Sequence, residues 1–304
     1  TFDPVNYVGD VDDSDKLRES IDFTHDGFVL KVEGTAYHEH DDEDGSFFYS
    51  YDRGNSWKGP YKFTGLNNDK NIKEILKVNV DKWESKKKKR YTWDGVELTP
   101  RTDYLVQGKH DCMFFMSARP DGKGTFATDR LFCARTKDGG KKFDFVSWIV
   151  PPSDPARAVM SQTVQIDDNT FVTAMRRRLK DNNWVDIYIS RDGGKSWSFQ
   201  AKAGSAGHVF NGNPPAMVKT DDGRLCCVFG NREQVAIVAS YSSDNGRTWT
   251  DPVPVRSGDY YAEDDDADLG YPLLLKRSDG SLIAIYYWSA KEDLHNISAT
   301  IWKP

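Results

Sequence analysis

The pattern that organises this chain reads Ser190-Arg191-Asp192-Gly193-Gly194-Lys195-Ser196-Trp197, and it occurs four times. The other copies are residues 50–57, 136–143 and 242–249, and the consensus is Ser/Thr-x-Asp-x-Gly-x-(Ser/Thr/Lys)-aromatic. Each copy can close a turn between two strands: the Asp carboxylate accepts backbone amide hydrogens, the Gly supplies a positive φ, and the aromatic ring packs between sheets. Four copies, each following a short apolar run, predict a fold made of repeated antiparallel sheets.

The spacing of the copies indicates the size of each sheet. Asp138, Asp192 and Asp244 lie 54 and 52 residues apart, which suits four-stranded blades of a β-propeller. Short polar turns such as Asp221-Asp222-Gly223 divide the apolar runs between them. Five blades are legible, at residues 17–64, 100–150, 156–200, 210–255 and 268–304, the last completed by an N-terminal strand. We therefore expect one all-β propeller domain over residues 1–304, with residues 65–99 as a degenerate sixth blade or an insertion on the active face.

The composition of the chain agrees with this fold and argues against a nucleic-acid partner and a membrane span. Aromatic residues make up 13% of the 304 residues, and 24 glycines supply turns. The net charge of −6 and the lack of a nucleic-acid motif predict no nucleic-acid partner. No apolar run approaches the ~18 residues of a membrane span. The chain opens at Thr1 without Met, from which we expect a processed, secreted or periplasmic protein. Four cysteines without metal-ligand spacing are expected to be packing thiols: Cys112, Cys133, Cys226 and Cys227.

The four repeats resemble the Asp boxes of the sialidase (neuraminidase) and BNR-repeat family, and we call each copy an Asp box. The fourth blade is similar in its other motifs, which run from Asn213-Pro214-Pro215 through Asp222-Gly223-Arg224 to Gly230-Asn231-Arg232. The last blade is similar as well, in the stretch Asp268-Leu269-Gly270-Tyr271-Pro272. The resemblance covers roughly residues 17–304. It implies a sialidase-like propeller with six blades and a glycosidase ancestry.

Strand alternation separates the two ends of each blade. The Asp boxes and the turns between first and second strands fall at one end, and the ends of the second strands fall at the other. Arg176-Arg177-Arg178 ends one such strand, and alternation prevents all three from pointing inward. Converging guanidiniums suit the capture of a carboxylate or a sulfate. We expect the substrate-binding arginines to be Arg101, Arg119, Arg157, Arg178 and Arg232. The resemblance implies Arg232 as a ligand of the sugar carboxylate.

Tyr271 begins the inner strand of the last blade and looks like the tyrosine nucleophile of the family, which needs a carboxylate to take its proton. The family places a Glu before the proline that is Pro214 here, but this chain has Asn213, which we expect to contact the substrate. Asp268 is one candidate for the missing carboxylate, and Asp103 is a second, as acid/base. The resemblance implies a glycoside hydrolase that acts on a terminal acidic sugar.

Two other functions stay open at this point. His208 and Tyr271 could act as base and acid in a polysaccharide lyase that eliminates across a uronate sugar. A carbohydrate-binding propeller without catalysis is the other alternative. All three functions share an anionic oligo- or polysaccharide as partner. We expect no metal or cofactor in the chemistry, although the acidic run Glu263–Asp268 has the oxygen ligands that calcium prefers.

Overall fold

The computed structural model of the chain describes residues 17–33, 45–66, 68–77, 96–120, 129–207, 212–258, 269–291 and 294–304. Within these ranges the chain is all β, with one short 3-10 helix at Ile72–Lys77. No helix in the same ranges is long and apolar enough to cross a membrane. The chain divides into two compact units between Ser153 and Asp154. The prediction of a single domain over residues 1–304 stays a prediction.

The first unit contains two antiparallel sheets. The strands of its first sheet are β1 (Val29–Glu33), β2 (Ser46–Ser50) and β3 (Lys58–Lys62), in that order. The strands of its second sheet are β4 (Val96–Gly108), β5 (Asp111–Pro120), β6 (Arg130–Thr136) and β7 (Asp144–Trp148). Buried aromatic rings dominate the core, where Phe63, Phe114 and Phe143 pack edge to face with centroids 5.0–5.8 Å apart.

The second unit contains three antiparallel sheets. The strands of the first are β8 (Arg157–Gln165), β9 (Phe171–Leu179), β10 (Asn182–Ser190) and β11 (Ser198–Gly207). The strands of the second are β12 (Ala216–Lys219), β13 (Leu225–Asn231), β14 (Ala236–Ser242) and β15 (Val253–Ser257). The strands of the third are β16 (Gly270–Lys276), β17 (Leu282–Lys291) and β18 (Leu294–Trp302). Aliphatic residues, including Val172, Ile187 and Val238, fill most of the core between the first and second of these sheets.

The five sheets are the five predicted blades, and each joins sequence neighbours into a propeller-type meander. The prediction of a sixth blade is corrected, because the described residues form five sheets. In the segment 65–99, these residues give a 3-10 helix and the start of β4, and Ile72 and Ile75 are buried in the core of the first unit. Residues 78–95 and the expected N-terminal strand lie outside the described residues.

The Asp boxes have the predicted geometry. In the box at residues 190–197, Ser190 Oγ donates to Asp192 Oδ1 at 2.9 Å, and the Ser196 amide donates to the same carboxylate at 2.9 Å. The Gly194 amide donates to Ser190 Oγ, and Gly194 has a φ of 85°. The boxes at 50–57 and 242–249 repeat these bonds. The sequence pattern therefore encodes a turn that satisfies its own polar groups.

The turns between the first and second strands lie against the Asp boxes in three blades. The amides of Arg53, Gly139 and Gly193 donate to the carbonyls of residues 27, 110 and 169, each at 2.9 Å. In these blades both kinds of turn therefore share one end, as strand alternation predicts. The starts of the inner strands and the ends of the second strands lie at the opposite end.

The cysteines are packing residues, as predicted. All four are free and buried. Burial raises the pKa of the Cys226 thiol to about 12, so this thiol stays protonated at neutral pH.

Candidate functional site

Two inner strands of the second unit are irregular near their starts. β8 shifts register between Val159 and Ser161, and β16 shifts between Gly270 and Leu273. These irregularities give Met160 a φ of 57° and Tyr271 a φ of 51°, a region that non-glycine residues rarely occupy. β-Bulges of this kind re-aim side chains and are frequent beside active sites. The positive φ at Tyr271 therefore marks a side chain that the surrounding structure holds in place.

Both irregular strands direct a side chain to one guanidinium, that of Arg176. Its Nη1 donates to Tyr271 Oη at 3.3 Å and lies 3.6 Å from Met160 Sδ. Arg176 is only 3% exposed, whereas Tyr271 is 36% exposed. A buried positive charge therefore sits beside a phenol oxygen whose ring reaches the surface.

The other arginines at the end of β9 have different partners. Arg177 Nη2 lies 2.7 Å from Asp154 Oδ1, and Arg177 Nε lies 3.2 Å from Asp186 Oδ2. Burial raises the pKa of Asp186, and this effect exceeds the opposing effect of Arg177. Arg178 Nε donates to the Lys180 carbonyl at 3.0 Å. Arg176, which donates to Tyr271 Oη, was not among the expected substrate-binding arginines, and the expected role of Arg178 stays a prediction.

A second arginine–tyrosine pair lies beside Tyr271. Arg232 follows β13, and its Nη2 donates to Tyr287 Oη at 2.8 Å. Arg232 Nε also lies 3.4 Å from the Leu269 carbonyl oxygen. The rings of Tyr287 and Tyr271 are 5.9 Å apart between centroids. We call the six residues of this group the Tyr271 cluster: Met160, Arg176, Asn213, Arg232, Tyr271 and Tyr287.

Asn213 is fully buried at the base of this cluster. Its Nδ2 donates to the Leu269 carbonyl at 2.9 Å, and its Oδ1 accepts the Tyr271 amide at 2.8 Å. Its side chain thus bridges two backbone groups on either side of Gly270.

The remaining expected site residues divide between the two units. Arg157 is buried and lies opposite Arg178 in the β8–β9 register. Arg101, Asp103 and Arg119 belong to the first unit. Asp103 is 1% exposed, and Arg119 Nε lies 2.5 Å from Glu97 Oε2. His208, Asp268 and the acidic run that includes it lie outside the described residues.

Besides Arg176, two members of the cluster were not among the expected site residues. Tyr287 lies directly opposite Gly270 in the β16–β17 register, and such an aromatic–glycine pair is a signal that strand alignment could supply. Met160 has no comparable signal, because only the register shift in β8 brings it to Arg176.

The cluster combines two guanidiniums with two phenols, an arrangement that attracts an anion and can stabilise negative charge on a tyrosine oxygen. Within the described ranges, no three His, Cys, Asp or Glu side chains are grouped closely enough to hold a metal ion.

Three solved structures show the same fold at low identity. A protein of unknown function from Dyadobacter fermentans is 18% identical with a TM-score of 0.59, and the match covers 84% of this chain and 63% of that one. The Hadza microbial sialidase Hz136 is 17% identical with a TM-score of 0.55, covering 90% and 54%. A mutant of the α-L-arabinofuranosidase Arb93a from Fusarium graminearum, in complex with an iminosugar inhibitor, is 14% identical with a TM-score of 0.50, covering 66% and 62%.

These identities show the fold alone, and the chain spans less than two thirds of each of these structures. No curated protein matches the sequence. The family model described as BNR repeat-like domain matches residues 84–263, which is more than half of the chain. This match includes three whole Asp boxes, at 136–143, 190–197 and 242–249. The chain therefore belongs to the BNR repeat-like domain family.

Proposed function

We propose that this protein is a glycoside hydrolase that acts on a terminal acidic sugar, with Tyr271 as its nucleophile. The observation that carries the proposal is the hydrogen bond from buried Arg176 to the oxygen of a half-exposed tyrosine at positive φ. A phenol is a weak nucleophile unless its developing negative charge is stabilised. A fixed guanidinium beside the oxygen provides that stabilisation.

The acidic group of the sugar would be held by Arg232. This arginine is partly exposed, and its hydrogen bond to Tyr287 fixes the guanidinium near the Tyr271 ring. A pre-positioned guanidinium loses little entropy when it binds a carboxylate in two hydrogen bonds. Arg101, Arg119, Arg157 and Arg178 remain proposed substrate-binding residues. Asp103 and Asp268 remain the proposed acid/base residues.

The similar structures support the reaction class and leave the sugar open. One of them is named a sialidase and another an α-L-arabinofuranosidase, so both names belong to enzymes that cleave glycosidic bonds. The preference for an acidic sugar rests on the arginines of this chain. A secreted or periplasmic location belongs to the proposal, because complex glycans are found outside the cytoplasm.

A carbohydrate-binding protein without catalysis is the second candidate. The observation that favours it is Asn213, an amide at the position where the resemblance implies the catalytic Glu. Both polar atoms of this amide bond to backbone groups, so Asn213 does not accept a proton from Tyr271.

The test is incubation with a sialyl conjugate, a sulfated uronate polymer and an unsulfated uronate polymer. New reducing ends without absorbance from unsaturated uronate are expected. Absorbance that rises with cleavage would replace the hydrolase with a lyase that uses His208 and Tyr271. Binding without cleavage of any glycan would establish the second candidate.

Tyr271→Phe, with Tyr287→Phe as its matched control, assigns the nucleophile. Each variant removes one phenol oxygen from the same cluster. Tyr271→Phe is expected to lower kcat by about 10²-fold or more while the dissociation constant changes little. Tyr287→Phe is expected to weaken binding through Arg232 and to leave kcat nearly unchanged. An active Tyr271→Phe enzyme would contradict the assignment.

A further inference from the structure

We propose that Asn213 is a positioning residue, whose buried amide holds the Leu269–Tyr271 backbone so that the Tyr271 phenol meets Arg176. The catalytic part of this inference rests on the proposed role of Tyr271. The structural part, that Asn213 fixes the Tyr271 backbone, stands on the geometry alone.

Asn213 bridges two backbone groups with its side-chain amide. Asn213 Oδ1 accepts the Tyr271 amide at 2.8 Å, and Nδ2 donates to the Leu269 carbonyl at 2.9 Å. Between these two bonds Gly270 has a φ of 122° and Tyr271 a φ of 51°. Tyr271 is not a glycine, so its left-handed conformation persists only where neighbouring groups enforce it. The Asn213 bridge closes a ring around this backbone and is one such restraint.

Two glycines leave the space that the Asn213 amide occupies. A Cβ atom on Gly270 would lie 1.9 Å from Asn213 Oδ1, and a Cβ on Gly230 would lie 2.6 Å from Asn213 Nδ2. Two glycines from different strands, β16 and β13, therefore leave a slot that the planar amide fills. A Glu side chain is one methylene longer, so this slot does not accept the carboxylate that the resemblance implies. The position suits a short amide that both donates and accepts.

Asn213 and Arg232 contact the same backbone carbonyl. The Leu269 carbonyl that accepts from Asn213 Nδ2 is also 3.4 Å from Arg232 Nε. Asn213 therefore orients the Tyr271 amide and a carbonyl that Arg232 contacts.

The test compares Asn213→Ala with Ser240→Ala, a matched control in the neighbouring strands. Ser240 is fully buried in β14, and its Oγ donates to the Thr250 carbonyl at 2.7 Å. Each substitution thus removes a buried bond from side chain to backbone. The first readout is hydrogen exchange of the Tyr271 amide in protein labelled with ¹⁵N-tyrosine. The signal is assigned by its absence from Tyr271→Phe.

Asn213→Ala is expected to speed exchange of the Tyr271 amide at least tenfold, after correction for global stability, and Ser240→Ala is expected to leave it unchanged. Asn213→Asp has the same shape and keeps an oxygen acceptor for the Tyr271 amide, so an intermediate rate is expected. An unchanged Tyr271 rate in Asn213→Ala would overturn the inference whatever the activity. If that variant does not fold, an unchanged rate in Asn213→Leu, which nearly fills the same volume but forms neither bond, decides in the same way.

The second readout is turnover on the glycan that wild-type protein cleaves. Asn213→Ala is expected to lower kcat at least thirtyfold with less than a threefold change in KM. In the Tyr271→Phe background the same substitution is expected to have little further effect, because Asn213 acts through Tyr271. Additive losses would overturn the positioning role. An exchange effect in a protein that cleaves no glycan would remove the proposed function and leave the backbone restraint established.

Discussion

The two ends of the blades are built on opposite principles. At the Asp-box end of the second unit, the hydrogen bonds of the turn join residues two to four positions apart, as in the bonds of Asp192 and Asp244. In the Tyr271 cluster, the bonds to Tyr271 and Tyr287 join residues 55 to 95 positions apart. The first end repeats one self-sufficient turn in blade after blade. The second end is assembled once, from side chains that three blades contribute.

This difference separates a structural turn from the proposed site. The carboxylate of an Asp box is satisfied by nearby hydroxyl and amide groups and faces solvent, so its bonds stabilise the turn itself. The Tyr271 cluster buries Arg176 and holds two non-glycine residues at positive φ. Such a costly arrangement is retained where the geometry itself is used.

The largest expected contrast is between Arg176→Met and Asp244→Ala. Arg176→Met keeps the apolar stem and removes the charge beside Tyr271 Oη, so a fall in kcat of about 10²-fold is expected. Asp244→Ala removes the bonds of one box, so a loss of about 1 kcal/mol in the free energy of unfolding is expected, with kcat unchanged. Steady-state kinetics and urea denaturation of both variants make the comparison. Equal effects on kcat would break the distinction between the two ends.

Two glycines test how much contact with the neighbouring blade adds to the stability of an Asp box. Gly246 of an Asp box and Gly223 of a polar turn have nearly the same φ, 86° and 87°. A Cβ on Gly246 would lie 3.1 Å from Ile187 Cγ2 and 3.2 Å from Val172 Cγ1, whereas a Cβ on Gly223 meets nothing within 4 Å. Gly223→Ala is expected to destabilise by about 1 kcal/mol through backbone strain. Gly246→Ala adds crowding against the neighbouring blade and is expected to destabilise by about 2–3 kcal/mol.

Urea denaturation of the two glycine variants measures these losses. Equal losses would show that the box glycine serves only the local turn.

The smallest expected effect is on the pH dependence of stability. Hydrogen bonds, first from Ser50 Oγ and then from Ser56, lower the pKa of Asp52 from 3.8 to about 2. Burial raises the pKa of Asp244, but bonds from Thr248 and Ser242 outweigh it and lower this pKa to about 2. A carboxyl with a folded-state pKa below its unfolded value stabilises the fold above pH ~4 and loses that contribution as pH falls towards 2.

The measurement is the midpoint of thermal unfolding between pH 2 and pH 5. It is expected to fall less steeply for Asp52→Asn than for the wild type, because the variant has no carboxyl to protonate at that box. A curve parallel to that of the wild type would show that the box carboxylate is not protonated differently in the folded and unfolded chains.

The sequence by itself determined the repeated part of this protein. Asp boxes, their glycines and their terminal aromatics follow from chemistry within eight residues, so the five blades and the ends of their strands were predictable. Strand alternation also placed Tyr271 and Arg232 at the end opposite the boxes. The predicted sixth blade was wrong because the number six came from a resemblance, while Ile72 and Ile75 of that segment are buried in the core of the first unit.

Only the tertiary structure decided which side chains of the Tyr271 cluster bond to one another. Nothing local to β9 shows that Arg176 donates to Tyr271, because that bond spans 95 residues. Nothing local to Asn213 shows that its amide restrains a backbone 58 residues away. The register shifts that aim Met160 and Tyr271 arise where a strand fits its neighbours, and a pattern read along one strand does not contain them.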